Sequence, residues 1–175
     1  MWQLLKQIVR TGAPKLQVPE SEDAWRTEAG QIQQEILDVL GRALCIREID
    51  AGSCNGCELE IHALNNPYYN IEGRGIRFVA SPRHADLLLV TGPLALNMRE
   101  AVRRAYEATP HPKLVVATGG CACTGGIFNG SYAVCGPLSS LLPVDVSIPG
   151  CPPPPIDILR GIVTAFRVKH ASVPR

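Results

Sequence analysis

Short apolar runs alternate along this chain with stretches in which apolar residues recur at helical spacing. Five of the runs predict β-strands, at residues 45–50, 77–80, 85–91, 113–118 and 144–148. The runs at 85–91 and 113–118 are almost continuously apolar, which is typical of parallel strands that are buried on both faces. Because strands and helices alternate, the pattern predicts a doubly wound, mostly parallel α/β sheet.

Helical spacing predicts the elements that connect these strands. One helix follows residue 57, a second begins near Asn97 and Glu100, which match a capping box, and a third begins in the proline run that ends at Pro155. With this connectivity the sheet is expected to be flavodoxin-like. The expected inner faces are Met98, Val102, Ala105 and Tyr106 on the second helix, and Ile156, Leu159, Val163 and Phe166 on the third.

Residues 1–44 have a different pattern and are predicted to form a docking segment that precedes an α/β domain at residues 45–175. Residues 2–10 predict a short basic amphipathic helix, which a linker joins to a second helix at residues 22–44, where Gly41 weakens the end. A basic amphipathic helix is typical of docking to a membrane surface or to a partner. Packing against the chain's own domain is an equally good interpretation of the first helix.

Composition and charge exclude several classes of protein. Of the 175 residues, 46% are hydrophobic and 19% are charged, so the chain can bury a core and is not disordered overall. The balance of 17 basic and 16 acidic residues lacks the basic excess that nucleic-acid binding needs. No apolar run is long enough to span a bilayer, and the first residues do not resemble a secretory signal. Residues 114–144 contain no Asp, Glu, Lys or Arg, so most of this stretch is expected to be buried against the core or a partner.

Seven cysteines in a chain without a predicted export signal favour metal or redox chemistry over disulfide bonds. Cys54 and Cys57 form a C-x2-C pair after the first strand, Cys121 follows the fourth strand, and Cys151 follows the fifth. Loops at the carboxyl ends of parallel strands meet at one edge of a sheet, so these thiols are expected to converge. Cys123 is a rival to Cys121, and spacing alone does not choose between them.

Four converging thiolates suit a [4Fe–4S] cluster, which takes one thiolate per iron, and glycine-rich loops let backbone N–H groups approach the sulfurs. A structural zinc site is the main alternative, but such sites usually use two short cysteine pairs, and only one is present. A thioredoxin-like dithiol explains Cys54 and Cys57 and leaves the other two thiols without a role. Cys45, at a strand start, is interpreted as a core residue, and Cys135 stays ambiguous.

Four sequence blocks resemble a known family of proteins. They cover residues 53–61, 80–93, 119–126 and 149–154, and the resemblance as a whole extends from about residue 45 to residue 166. Together they are similar to the small subunit of membrane-bound (group 4) [NiFe] hydrogenases. That group includes formate hydrogenlyase and is homologous to the B subunit of respiratory complex I, the NADH-quinone oxidoreductase 20 kDa subunit family.

The resemblance implies which thiols bind the cluster and which branch of the family the chain belongs to. The implied ligands are Cys54, Cys57, Cys121 and Cys151, which selects Cys121 over Cys123. Complex I subunits carry two adjacent cysteines in the first motif, whereas this chain has the C-x2-C form of the hydrogenases. The first motif therefore favours a hydrogenase-type complex.

The implied role is electron transfer within an oxidoreductase complex, through one [4Fe–4S] cluster proximal to the active site of a hydrogenase-like large subunit. A [NiFe] centre is implied for that large subunit, because this chain has no complete active site of its own. The other implied partners are a ferredoxin-like iron–sulfur subunit and membrane ion-pumping subunits. The implied location is peripheral, on the cytoplasmic side of the cytoplasmic membrane. The alternative is a complex I-type B subunit that passes electrons to quinone.

Polar residues near the motifs each have two interpretations. Glu58 and Glu60 follow Cys57 closely and could relay protons, but a solvated or salt-bridged helix face is the favoured interpretation. A structural role is favoured for His62 as well. Arg83 and His84 belong to a stretch that, by the resemblance, lies near the quinone pocket of complex I, where a coupling role is a weak hypothesis.

Overall fold

A computed structural model describes residues 31 and 33–171 of the chain. Its five strands are all parallel and are ordered β2-β1-β3-β4-β5. The strands are β1 Leu44–Asp50, β2 Ile76–Phe78, β3 Leu87–Thr91, β4 Leu114–Thr118 and β5 Val146–Ile148. The doubly wound α/β sheet predicted from the sequence is therefore confirmed, in the flavodoxin-like strand order.

Five α-helices among the described residues flank the sheet. They are α1 at residues 33–40, α2 Gly56–Ala63, α3 Arg99–Ala108, α4 Gly119–Thr124 and α5 Pro155–Ala171. On one face of the sheet, α1, α2 and α5 contribute Ile36, Ile61 and Ile158 to the core. On the other face, α3 and α4 contribute Val102 and Ala122. Within this described part of the chain, no helix has both the length and the apolar character that a bilayer crossing requires.

The central strands β3 and β4 are buried along their whole length. Leu87 and Leu89 belong to the core on one face, whereas Leu88 and Val90 belong to the core on the other. Side chains alternate between the two faces of a strand, and here helices cover both faces, which explains why the run at 85–91 is continuously apolar. This buried centre fixes the two ends of the sheet and the loops that leave them. We call the end at which the parallel strands begin the amino edge, and the end at which they finish the carboxyl edge.

The helix predicted at residues 22–44 ends earlier than predicted. It stops at residue 40, because Gly41 takes a φ of 64° and Leu44 already pairs in β1. Its described part packs on the α/β domain through Ile36, which is 1% exposed. The predicted helix at residues 2–10 lies outside the described residues, and the predicted domain division at residue 44 stays a prediction.

The predicted inner faces of α3 and α5 are confirmed, but the predicted capping box of α3 is wrong. The residue before α3 is Met98, and no side chain caps the helix there. Glu100, which a capping box would use, pairs instead with Arg103 at 2.6 Å and Arg104 at 2.8 Å. The inner faces hold Met98, Val102, Ala105 and Tyr106 on α3, and Ile156, Leu159, Val163 and Phe166 on α5.

Candidate metal centre

Four of the seven cysteines lie at the carboxyl ends of the strands. Cys54 is in the loop after β1, Cys57 is in the first turn of α2, Cys121 is in α4 directly after β4, and Cys151 is in the loop between β5 and α5. The thiol of Cys57 lies close enough to interact electrostatically with the other three, and that of Cys121 interacts with those of Cys54 and Cys151. The structure thus brings together the four thiols that the sequence places in separate loops.

Glycines bring the backbone against the sulfur atoms. A Cβ atom on Gly119 would lie 2.6 Å from Cys57 Sγ, and one on Gly126 would lie 2.7 Å from Cys121 Sγ. Both glycines also take a positive φ, of 87° and 56°, so a side chain is disfavoured by the backbone conformation as well as by the lack of space. This close approach is the one that the glycine-rich motifs predict.

Burial and neighbouring negative charge keep the thiol of Cys57 protonated in the chain alone. Its pKa is raised to about 12, first by burial and then by the charges of Glu58 and of the other three thiols. Burial also raises the pKa of Cys121, and the nearby thiols of Cys151, Cys54 and Cys123 add to the effect. Thiolates at such short range repel one another, so all four ionise together only with a positively charged group among them.

Cys123 lies in a different environment from Cys121, although only one residue separates them. The thiol of Cys123 donates to the carbonyl oxygen of Ala117 at 3.6 Å and packs against the core beneath α4. Burial is the main cause that raises the pKa of that thiol as well. The selection of Cys121 over Cys123 as a ligand stays a prediction. Of the remaining cysteines, Cys135 packs against the same core, and Cys45 is buried at the opposite edge of the sheet.

Three side chains near the carboxyl edge hold buried oxygen atoms that have no hydrogen-bond partner within the described residues. These atoms are Oγ1 of Thr118, both carboxylate oxygens of Glu58 and one of Glu48. Burial, followed by the charge of Glu58, raises the pKa of Glu48. Sequence reasoning missed Glu48, because a single acid in an alternating strand resembles an ordinary solvent-facing residue.

The other polar residues that the sequence singles out are divided between the two edges. Glu58 and His62 line a cleft of about 430 Å³ beside α2. Glu60 is partly exposed on the same helix. Arg83 and His84 are exposed in a short 3-10 segment that precedes β3, so they belong to the amino edge of the sheet and not to the cysteine group.

The uncharged stretch at residues 114–144 is only partly buried. Its first part is β4, which is fully buried, but beyond α4 the side chains of Ile127 and Tyr132 are 90% and 95% exposed. The expectation of burial in the chain's own core is therefore wrong for this part, and burial by a partner is the alternative that is left. Several apolar residues that lie near the cysteines in the sequence are exposed, and we call them together the apolar rim: Leu59, Leu96, Ile127, Phe128 and Tyr132.

Comparison with known proteins finds relatives in two kinds of oxidoreductase complex. The family model "NADH ubiquinone oxidoreductase, 20 Kd subunit" matches residues 54–165. The probable membrane-bound hydrogenase subunit mbhJ of Pyrococcus furiosus is 46% identical over 132 residues, which cover 75% of this chain and 79% of that protein. Formate hydrogenlyase subunit 7 of Escherichia coli is 42% identical, over 81% of this chain but only 56% of its own length. The B subunit of NADH-quinone oxidoreductase from Desulfovibrio desulfuricans is 37% identical, over 89% of this chain and 85% of its own length.

Two solved structures are also similar to this chain. A chain of the membrane-bound sulfane sulfur reductase, an archaeal respiratory membrane complex, superposes with a TM-score of 0.64 at 33% identity, covering 75% of this chain and 73% of that one. A chain of an NAD+-reducing [NiFe]-hydrogenase shares the fold, with a TM-score of 0.54 at 19% identity over 70% of this chain and 92% of its own. Because the family model spans more than half of the sequence, the chain belongs to the family of the 20 kDa subunit of NADH ubiquinone oxidoreductase.

Proposed function

We propose that this chain is the electron-transfer small subunit of a membrane-bound [NiFe] hydrogenase-type complex related to complex I. The observation that carries the proposal is the convergence of four thiols, from three separate loops, at the carboxyl edge of the sheet. The relatives are subunits of hydrogenase, formate hydrogenlyase and NADH-quinone oxidoreductase, so an oxidoreductase role is common to all of them.

Cys54, Cys57, Cys121 and Cys151 are the proposed ligands of one [4Fe–4S] cluster. The residues present fit this group in two ways. The positive-φ glycines leave room for sulfur at Gly119 and Gly126, and Thr118 keeps a buried hydroxyl with no partner among the described residues. A bound cluster supplies one-electron transfer, and the surrounding chain orients the thiolates and limits the access of water.

The number of short cysteine pairs supports a polynuclear cluster over zinc. Structural zinc sites usually use two short cysteine pairs, and this chain has only one, Cys54 and Cys57. A [4Fe–4S] cluster takes one thiolate per iron, and its ligands can come from loops that are distant in the sequence. Among the described residues, no group of three or more His, Cys, Asp or Glu side chains is placed to hold a single metal ion.

The apolar rim is the proposed contact surface for a hydrogenase-like large subunit. Ile127 and Tyr132 are almost fully exposed and belong to a segment without charged residues, which is unusual for a surface that only water covers. Leu59 lies two residues after Cys57 and is 61% exposed. A partner on this surface would cover the cluster edge and bring its own redox centre near the cluster. The [NiFe] centre is proposed for that partner.

A ferredoxin-like iron–sulfur subunit and membrane ion-pumping subunits complete the proposed complex. The proposed location is peripheral, on the cytoplasmic side of the cytoplasmic membrane. Two relatives support membrane association, because they come from a membrane-bound hydrogenase and from an archaeal respiratory membrane complex.

A complex I-type B subunit, which donates electrons to quinone, is the second candidate. The relative from Desulfovibrio desulfuricans, which matches 89% of this chain, favours it. The C-x2-C form of the first motif favours the hydrogenase branch. Purified whole complex should therefore evolve or oxidise hydrogen, and should not reduce quinone at a comparable rate. Quinone reduction without hydrogen turnover would select the second candidate.

The cluster itself is tested on the full-length chain purified without oxygen. We expect a brown protein whose visible absorbance bleaches on reduction, with about four iron and four acid-labile sulfide ions per chain. A colourless protein that contains zinc in place of iron would contradict the proposal. This measurement needs no partner subunit, so it separates the cluster assignment from the identity of the complex.

A further inference from the structure

The amino edge of the sheet holds a cleft that the proposed electron transfer does not use. Its volume is about 460 Å³, and residues from the amino ends of β1, β3 and β4 border it. β3 and β4 are five residues long, which at a rise of about 3.3 Å per residue separates the two edges by about 17 Å. The cleft is therefore distinct from the cysteine group.

Six of the residues that line this cleft have basic side chains, and we call it the basic cleft. They come from five separate segments: Arg42, Arg77, Arg83, His84, His111 and Lys169. Lys169 also forms an ion pair with Asp145, at 3.9 Å. Among the described residues that line it, Asp86 is the only acid, and a two-pronged ion pair with Arg42, at 2.6 and 2.8 Å, neutralises its charge. Neither Arg77 nor Arg83 has an ion pair with a carboxylate in the described part of the chain.

Two arginines are placed to receive an anion at this cleft. Arg77 is exposed, and its Nε donates only to the sulfur of Cys45, at 3.5 Å, which leaves the outer nitrogens of the guanidinium for a ligand. Arg83 is exposed in the 3-10 segment that precedes β3. One guanidinium group can donate two parallel hydrogen bonds to two oxygens of the same phosphate group.

The remainder of the lining is apolar. Leu40 is half-buried, and Pro110 and Pro112 are exposed, so these three residues supply the accessible apolar surface of the cleft. Leu44 and Leu114 also line the cleft but are almost fully buried. A small inorganic anion would contact only the basic side chains of the cleft. An amphiphile with an anionic head and an apolar tail would contact both the basic side chains and the apolar part of the lining.

We propose that the basic cleft binds the phosphate of an anionic phospholipid and so holds this subunit on the membrane surface. The inference rests on the proposed membrane-side location, but it does not depend on the cluster or its ligands. The basic side chains of the cleft attract the negative surface of a membrane, and its apolar lining accommodates the glycerol and upper acyl region of the phospholipid. An acidic segment of a partner protein is the competing occupant.

The test is co-sedimentation of the full-length chain with vesicles, either of phosphatidylcholine alone or with phosphatidylglycerol added. We expect salt-sensitive binding to the phosphatidylglycerol vesicles and little binding to the neutral ones. Each cationic side chain near an anionic surface strengthens binding about fivefold, so the double variant Arg77→Gln/Arg83→Gln should bind about 30-fold more weakly. Arg77→Lys/Arg83→Lys keeps the charge and should retain most of the affinity.

The matched control is Arg99→Gln/Arg160→Gln, which removes the same charge from exposed sites early in α3 and α5. It should bind vesicles nearly as well as the unmodified chain. The segment at residues 2–10 is present in every variant, so its own membrane affinity cancels in the comparison. Iron content, measured in parallel, should be the same in all variants, which separates a failure of this inference from a failure of the cluster.

Three results would overturn the inference. One is an equal loss of binding in the control, which would mean that overall charge acts and not the basic cleft. Another is competition by millimolar inorganic phosphate that abolishes vesicle binding, which would assign a soluble phosphate ligand. The third is an absence of vesicle binding together with charge-dependent binding of an acidic peptide, which would assign a protein partner.

Discussion

The two edges of the same sheet place cysteine in opposite chemical settings. At the carboxyl edge, Cys57 lies beside Gly119 and near three other thiols, and its pKa is raised to about 12. At the amino edge, Cys45 is 4% exposed and its sulfur accepts hydrogen bonds from Arg42 at 3.6 Å and Arg77 at 3.5 Å. The residue type alone does not predict either environment. The direction of the parallel strands decides which loops meet, and so decides which thiols can share a metal centre.

The two edges are also held together by different interactions. At the carboxyl edge, glycines allow the backbone to come close to the sulfurs. At the amino edge, Asp86 forms an ion pair with Arg42 and also accepts a hydrogen bond from the backbone N–H of Cys45 at 3.0 Å. Changes at one edge should therefore leave the property of the other edge intact, and the iron content of Asp86→Asn tests that independence.

The largest effect is expected from Gly119→Ala at the carboxyl edge. The new Cβ would lie 2.6 Å from Cys57 Sγ, so the thiol must move away from the position in which it would bind the cluster. We expect most of the iron to be lost. The matched control is Gly130→Ala, because Gly130 has nearly the same φ, 82° against 87°, but has no atom within 4 Å of the added Cβ. Equal iron loss in the two variants would show that backbone strain, and not the close approach to sulfur, is responsible.

An intermediate effect is expected from pH on the chain without its cluster. The Cys57 pKa is raised from 9.0 to about 12, so the unfolded chain loses this proton at a lower pH than the folded chain does. The free energy of unfolding should therefore fall between pH 9 and pH 12, by an amount on the order of 2 kcal/mol. The full shift would give about 4 kcal/mol, but the thiol is only half-buried and solvent screens part of the effect. Cys57→Ser should show a smaller fall in chemical denaturation measured across this range. The same fall in both proteins would mean that other groups cause it.

The smallest effect is expected at the amino edge, from Asp86→Asn. This change weakens the ion pair with Arg42 and the bond to the Cys45 N–H, but the amide oxygen can still accept, so the free energy of unfolding should fall by only about 1 kcal/mol. The control is Asp157→Asn, since Asp157 pairs with Arg160 at 3.7 Å on the exposed surface of α5 and should contribute almost nothing. Iron content should stay unchanged in both. Loss of iron in Asp86→Asn would show that the two edges are coupled.

The pattern of apolar and polar residues was sufficient to predict the sheet, because helices cover both faces of β3 and β4 and the sequence of these strands is therefore continuously apolar. The same pattern was not sufficient to predict how the helices begin. Glu100 had the spacing of a capping residue, but Arg103 and Arg104 on the same helix compete for its carboxylate. Spacing also left Cys121 and Cys123 equivalent. In the structure the two thiols have different surroundings, because Cys123 donates to a backbone carbonyl in the core.

The basic cleft could not be predicted from sequence, since its lining comes from five segments between residues 42 and 169. Arg83 was singled out only through the resemblance, which associates its stretch with the quinone pocket of complex I. The exposure of Ile127 and Tyr132 was also not predictable, because an uncharged stretch can be covered either by the chain's own core or by another protein. In both cases the missing information is which distant segments become neighbours.

The central claim, that four thiols from separate loops bind one cluster, is tested most directly by replacing each cysteine singly with serine. Iron and acid-labile sulfide are then measured in chains purified without oxygen. Cys54→Ser, Cys57→Ser, Cys121→Ser and Cys151→Ser should each lose most of both, whereas Cys123→Ser should keep them. Full iron and sulfide in any of the first four variants, or their loss in Cys123→Ser alone, would contradict the claim.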